Sequence, residues 1–363
     1  MIKNKDISGK TASHRIVWID AAKFFAMLAV LLDHSYSDLY NDVRIRCGSY
    51  FGVGLFILLM GLTTYGSIDK SRFSLRKKLL GILIPYLTAS FICCVIRDRQ
   101  FDFEPFVFHL IHFSADGPFY YIMLYCQLLA VTPVVYHLLN SGDGKRFSFL
   151  PELAVFIIIC VFSSWTTCHT NILNIWGGGG KLLGGSYLIL FTLGMWFGKY
   201  YERISLKRIP ALMLLIVSLP LTVLFGFYNA KEYYFLDKHN FFEFNINPPG
   251  ITLMVYSILV MIVFYSLGSL LASMPESLIS RLFYKISIIG RHTLYIFLYH
   301  HLIMQTLLSA VRLPLYSLLK NFNLVRLFYF VVLLTLPIGI EYSLKAVRKW
   351  IALCYKNAAV GSE

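Results

Sequence analysis

Four polar residues interrupt the otherwise apolar stretch "WIDAAKFFAMLAVLLDHSYSD", residues 18–38: Asp20, Lys23, Asp33 and His34, with Asp38 closing it. An ionisable group inside a membrane-length apolar helix is costly unless it is paired or reaches water, so each one asks for an explanation. Lys23 and His34 are eleven positions apart, close to a whole number of turns at about 3.6 residues per turn. They therefore share a face, about 16 Å apart along the axis. Asp20 lies one turn before Lys23 and can pair with it. Asp38 lies one turn after His34 and would orient its imidazole if the helix runs that far, whereas Asp33 points elsewhere. A cation at one end of a face and an imidazole at the other suit a long anionic donor entering from the cytoplasm. The plainer alternative is that Lys23 snorkels to the surface and His34 ends the span; the shared face weighs against it for the pair.

The other candidates carry less pattern. His300 and His301 end the run "GRHTLYIFLYHH", which opens with Arg291 and His292. His109 and His112 are a turn apart with Asp116 a turn further, a spacing that can bind metal but better suits a solvated or interfacial amphipathic segment; we assign no metal site. "GGGGKLLGGS" fails as a phosphate loop, because Leu182 follows the Gly-Lys pair where Ser or Thr should hold magnesium, and Ile175 replaces the first Gly. No G-x-S-x-G elbow supports a serine nucleophile. Cys93, Cys94, Cys126 and Cys160 fall inside apolar runs without metal spacing, as reduced packing residues do.

The elements that must position these groups follow from composition. Of the 363 residues, 57% are hydrophobic and 14% charged, with a mean hydropathy of +0.65, against about 25% charged in an ordinary globular domain. The pattern predicts an all-α polytopic membrane protein with about ten spans, near 16–35, 47–68, 79–96, 118–139, 149–165, 182–197, 209–228, 250–271, 286–308 and 327–351. With the N-terminus in the cytoplasm, the loops on that face hold about 21 Lys and Arg against about 10 outside. Both termini are then cytoplasmic: 1–14 is a leading segment, 15–351 the transmembrane domain and 352–363 a tail. The net charge of +14 is thus accounted for by the positive-inside pattern and anionic lipid headgroups, and nucleic-acid binding has no support. The first span is too long for a signal-peptide core and is expected to be retained.

Five motifs in order resemble those of the acyltransferase-3 family of integral membrane proteins, from about Arg15 to about Val347. Asp20, Lys23 and His34 resemble its D-x-x-R-x10-H first helix. "GVGLFILLMG" from Gly52 is similar to G-V-x-x-F-F-x-x-S-G, and "RKKLLGILIPY", 76–86, to a basic R-x-x-R-x-x-x-P-Y segment. "FYYIMLYCQLLAVTP" resembles an L-W-x-L…P helix, with Tyr120 at the Trp position and Pro133 at the Pro. "IGRHTLYIFLYH", ending at His300, is similar to I-G-x-x-[ST]-L-x-I-Y-x-x-H. Lys23 replaces an arginine, keeping charge but losing the bidentate fork. Lys78 and Gly81 stand where two arginines are expected, and a glutamate seen near Tyr125 and Cys126 in many members is missing, although Gln127 matches.

The resemblance implies a stand-alone membrane O-acyltransferase, without a C-terminal hydrolase-like domain, in the bacterial inner (plasma) membrane. It implies an acyl-CoA donor, usually acetyl-CoA, bound from the cytoplasm as substrate with no permanently bound cofactor. The acceptor is a hydroxyl of a cell-surface or lipid-linked glycan. Lys23, Arg76, Lys77 and Lys78 are the expected phosphate ligands. His34 is general base or carries the acyl group itself, with Asp38 to orient it. Among substrate-side groups, His300 places the acceptor or lines the pore, Arg291 is structural or donor-facing, and Tyr120 takes the Trp position. A transporter or flippase for a glycan or small solute is the alternative function, since polar groups within spans suit transport as well.

Overall fold

In hydrocarbon every backbone N–H and C=O must be satisfied within its own segment, so long apolar runs become helices. The computed structural model describes residues 16–98, 101–142, 149–168, 182–204, 206–233 and 246–360, and all its regular structure is helical, with no strand among these residues. In chain order the helices are α1 (Val17–His34), α2 (Val43–Ser49), α3 (Phe51–Asp69), α4 (Leu75–Asp98), α5 (Phe103–His112), α6 (Tyr120–Asn140) and α7 (Phe149–Cys168). They continue as α8 (Tyr187–Tyr200), α9 (Arg208–Tyr233), α10 (Ile251–Ala272), α11 (Leu278–Ile289), α12 (Thr293–Ile303), α13 (Ser309–Leu319) and α14 (Phe322–Val360).

Among the described residues, eight helical runs are long and apolar enough to cross a membrane. The two remaining expected spans are α1, with three charged residues in its eighteen, and α8, only fourteen residues long. Both are wrapped by other helices: Ala21, Ala22, Ala26, Leu190, Phe191 and Met195 are fully buried. Their sequences can therefore depart from the lipid-facing pattern. By contrast α9 presents Ile209, Met213, Ile216, Val217 and Leu224 outward, an apolar surface of the kind that only lipid or a partner can cover. The protein is an all-α, multi-pass membrane protein.

Several expected spans are subdivided. The second is α2 and α3, broken at Tyr50, and the fourth is entered by a 3-10 turn at Gly117–Phe119. The ninth belongs to one run, Leu278–Leu319, in which a 3-10 turn at Gly290–His292 and a π-helical turn at Met304–Leu308 flank α12. The last helix continues to Val360, through most of the segment expected as a tail. The leading segment 1–14 and the glycine run 177–180 lie outside the described residues.

Two buried clusters meet along α1. Trp18 to Ala26 belong to one cluster with residues of α3, α8 and α10, whereas Met27, Val30 and Leu31 belong to another with residues of α4, α12 and α14. The first cluster is closed by glycine. A Cβ on Gly61 of α3 would lie 2.2 Å from the Phe191 carbonyl oxygen, and one on Gly194 of α8 would lie 2.1 Å from that of Leu58. Gly194 and Gly198 form a G-x-x-x-G stripe, which lets two helix backbones approach closely where no water drives them together. Gly290 does the same for α1: its Cβ would be 1.8 Å from the Asp20 carbonyl oxygen. The turn bearing Arg291 is thereby pressed against the first turn of α1, which sets up the charged end of the site.

Candidate active site

Asp20 organises one end of α1. Its Oδ1 lies 3.3 Å from the Lys23 ammonium and its Oδ2 3.6 Å from the Arg291 guanidinium. The expected Asp20–Lys23 pair is present, and Arg291 joins it rather than standing free. Lys78, half-buried on α4, donates to the Thr64 hydroxyl at 3.0 Å, with Lys23 near enough to act on it electrostatically. Arg76 and Lys77 are exposed on the same first turn of α4. Gly81 faces open space. Close by in sequence, His292 pairs with Glu341 at 2.7 Å, and Lys345 pairs with the same carboxylate.

At the other end of α1, His34 Nδ1 lies 2.7 Å from Nε2 of His300, the rings stacked with centroids 4.9 Å apart. His300 is fully buried, and its Nδ1 contacts two backbone carbonyls, Phe297 at 2.7 Å and Ile296 at 3.2 Å. These partners determine where the protons are, because a carbonyl oxygen only accepts. His300 Nδ1 must carry its proton, so its Nε2 is the acceptor and His34 Nδ1 the donor. The neutral His34 ring is then left with a free lone pair on Nε2.

A cavity of about 230 Å³ opens beside these rings, lined by His34, Asp38, His301, Gln305, Ser309, Arg312 and Tyr329, with Leu39 and Met304. Asp38 does not orient His34. The helix stops at His34, and Asp38 instead faces Arg312 across the cavity, at 3.7 Å. Asp33 points away as expected, to Arg46 at 3.0 Å. Tyr120 is not in the cavity lining; its hydroxyl is hydrogen-bonded with that of Tyr187. Gln127 accepts from the Gly184 N–H at 3.2 Å.

Among the lining groups that escaped the sequence-based assignment, three stand out: His301, Gln305 and Arg312. His301 Nδ1 is hydrogen-bonded to Asp116 Oδ1, and its Nε2 lies 3.2 Å from the Gln305 amide nitrogen. The adjacent pair His300-His301 was the available signal: on a helix, neighbours point about 100° apart, so two histidines in a row serve two partners. Their identity, 266 and 185 positions away, is not carried by helical phase. His109 and His112 do not converge: His109 contacts Ser114 and Arg97, and His112 the Phe108 carbonyl. No group of three or more potential metal ligands occurs among the described residues.

The structure thus sets a paired imidazole beside a cavity at one end of α1, and Lys23 and Arg291 on one carboxylate at the other. The acyltransferase-domain family, acyltransferase 3, matches residues 16–342, nearly the whole chain, and the protein belongs to it. It is therefore a membrane acyltransferase. No curated protein and no solved structure matches the chain.

Proposed function

We propose that the protein transfers an acyl group, acetyl in the first instance, from acyl-CoA on the cytoplasmic side to a hydroxyl of a cell-surface or lipid-linked glycan, in the bacterial inner membrane. The observation that carries this is the His34–His300–carbonyl relay, which leaves His34 Nε2 free beside a cavity large enough for part of a substrate. Lys23 and Lys78, with Arg76 and Lys77 at the surface, hold the donor phosphates. Arg291 shares the Asp20 carboxylate with Lys23 and so fixes the cation that meets the donor. The donor's extended pantetheine arm runs along α1 and delivers the thioester to His34.

The chemistry is then proton transfer and acyl exchange. Nε2 of His34 takes the proton of the acceptor hydroxyl as its oxygen attacks the thioester carbonyl, and the carbonyl electron pair moves to oxygen. That pair returns, the carbon–sulfur bond breaks, and the thiolate takes the proton from His34. His300 keeps Nδ1 of His34 as the protonated nitrogen throughout, and Asp38 and Arg312 line the side from which an acceptor enters.

The test is acyl transfer from radiolabelled acetyl-CoA to glycan in membranes bearing the wild type or His34→Ala. Labelled glycan with the wild type and none with His34→Ala is the expected result. Glycan carried across vesicles without a new ester would replace the proposal with transport.

A further inference from the structure

The cavity holds two histidine relays that end differently. The His34 relay ends on the Phe297 carbonyl, a neutral acceptor. The His301 relay ends on the Asp116 carboxylate, 91% buried by its 9% side-chain exposure, whose other oxygen, Oδ2, has no hydrogen-bond partner. A proton added to the first relay would have no carboxylate hydrogen-bonded to it, only Asp33 and Asp116 acting across space. A proton added to His301 Nε2 forms an ion pair with Asp116. The two rings meet edge to face, centroids 5.7 Å apart, and both line the cavity. Paired groups whose surroundings favour opposite charge states divide acid from base work.

We propose that His301, charged through Asp116, is a second catalytic residue: it donates a hydrogen bond from Nε2–H to the oxyanion that forms when the acceptor attacks the thioester. This rests on the acyl-transfer function proposed above. His301 exchanges no proton in the step; the hydroxyl proton still passes through His34 to the departing sulfur, and the balance is unchanged. Gln305 accompanies both states of the ring. Its amide nitrogen faces the unprotonated Nε2, and its carbonyl end, or the substrate oxyanion in its place, faces the protonated one. Gln305 lies in the π-helical turn Met304–Leu308, a wide turn of the kind that occurs at functional sites. The charged and titratable groups facing His301 are His34 from α1, His300 on its own helix and Asp116 ahead of α6, with Asp38 and Arg312 lining the same cavity; Asp33 and Arg46 act on the neighbouring His34.

The experiment measures kcat and the acyl-CoA KM of the full chain for the wild type, Asp116→Asn and His301→Gln. Asp116→Asn keeps an oxygen to accept from Nδ1–H and removes only the charge, so a merely structural staple survives it. The expected result is a fall in kcat of about tenfold or more for Asp116→Asn and about 100-fold for His301→Gln, with the acyl-CoA KM within about twofold. Asp116→Asn carries the test alone should His301→Gln fail to fold. Wild-type kcat in Asp116→Asn overturns the proposal, as does a loss confined to KM. A wild type without transfer sinks the proposed function and this inference together. Transfer lost in His34→Ala but intact in both variants here overturns this inference only.

Discussion

In the proposed mechanism His34 relies on a neighbour, His300, that never needs to touch substrate. His300→Ala leaves the Nδ1–H of His34 without its acceptor, and the ring becomes free to present the wrong nitrogen. We expect kcat to fall about 10–100-fold, as for loss of an orienting partner, less than for His34→Ala, with the donor KM unchanged. An unaltered kcat would show that the relay does not set the tautomer. At the other end, Lys23 sits 3.3 Å from a carboxylate it shares with Arg291. Lys23→Ala should raise the acyl-CoA KM about tenfold, roughly 1.4 kcal/mol, whereas Lys23→Arg should keep or lower it. Equal KM values across the three would remove the phosphate role. Helical phase made the Asp20–Lys23 pair and the Lys23–His34 face legible from sequence. The partners His300 and Arg291 were visible only as candidates, and Asp38 was misplaced because the helix ends four residues before it. The His301–Asp116 pair lay wholly beyond reach, since it joins segments 185 positions apart.

The element that places these groups is α1, and α1 is placed by small residues. Ala21, Ala22, Ala26 and Ala29 face inward, and Gly290 brings the turn before α12 onto it. The same device locks α3 to α8. Gly61→Val would set a side chain 2.2 Å from the Phe191 carbonyl oxygen and should destabilise the protein by about 1–3 kcal/mol or more. Thermal unfolding in detergent measures this, with Gly66→Ala as control, because Gly66 has open space around it. Equal midpoints would mean that the α3–α8 seam is not tight. Apolar run length located the long helices well, because each must satisfy its own backbone in lipid. It divided the ninth span poorly: the 3-10 turn ahead of α12 packs against α1, and no run length records that.

For the whole molecule the decisive matter is sidedness. The Lys and Arg of Lys70, Arg72, Arg76, Lys77 and Lys78 cluster at the end of α3 and the start of α4, on the same side as Lys23 by the alternation of helices. His34, Asp116 and the cavity then open to the opposite side. In a cysteine-free background, Asn41→Cys should react with an impermeant maleimide from outside, and Glu276→Cys only after the membrane is opened. Composition alone made the multi-pass class legible; direction across the membrane rests on the charge asymmetry. The most direct test of the central claim, that a donor held at the cation end of α1 is used at its imidazole end, employs sealed right-side-out vesicles. They are loaded with radiolabelled acetyl-CoA and given glycan acceptor only outside. Label should appear on the external glycan with the wild type and not with His34→Ala. Transfer that needs donor and acceptor on the same side, or that persists in His34→Ala, would contradict it.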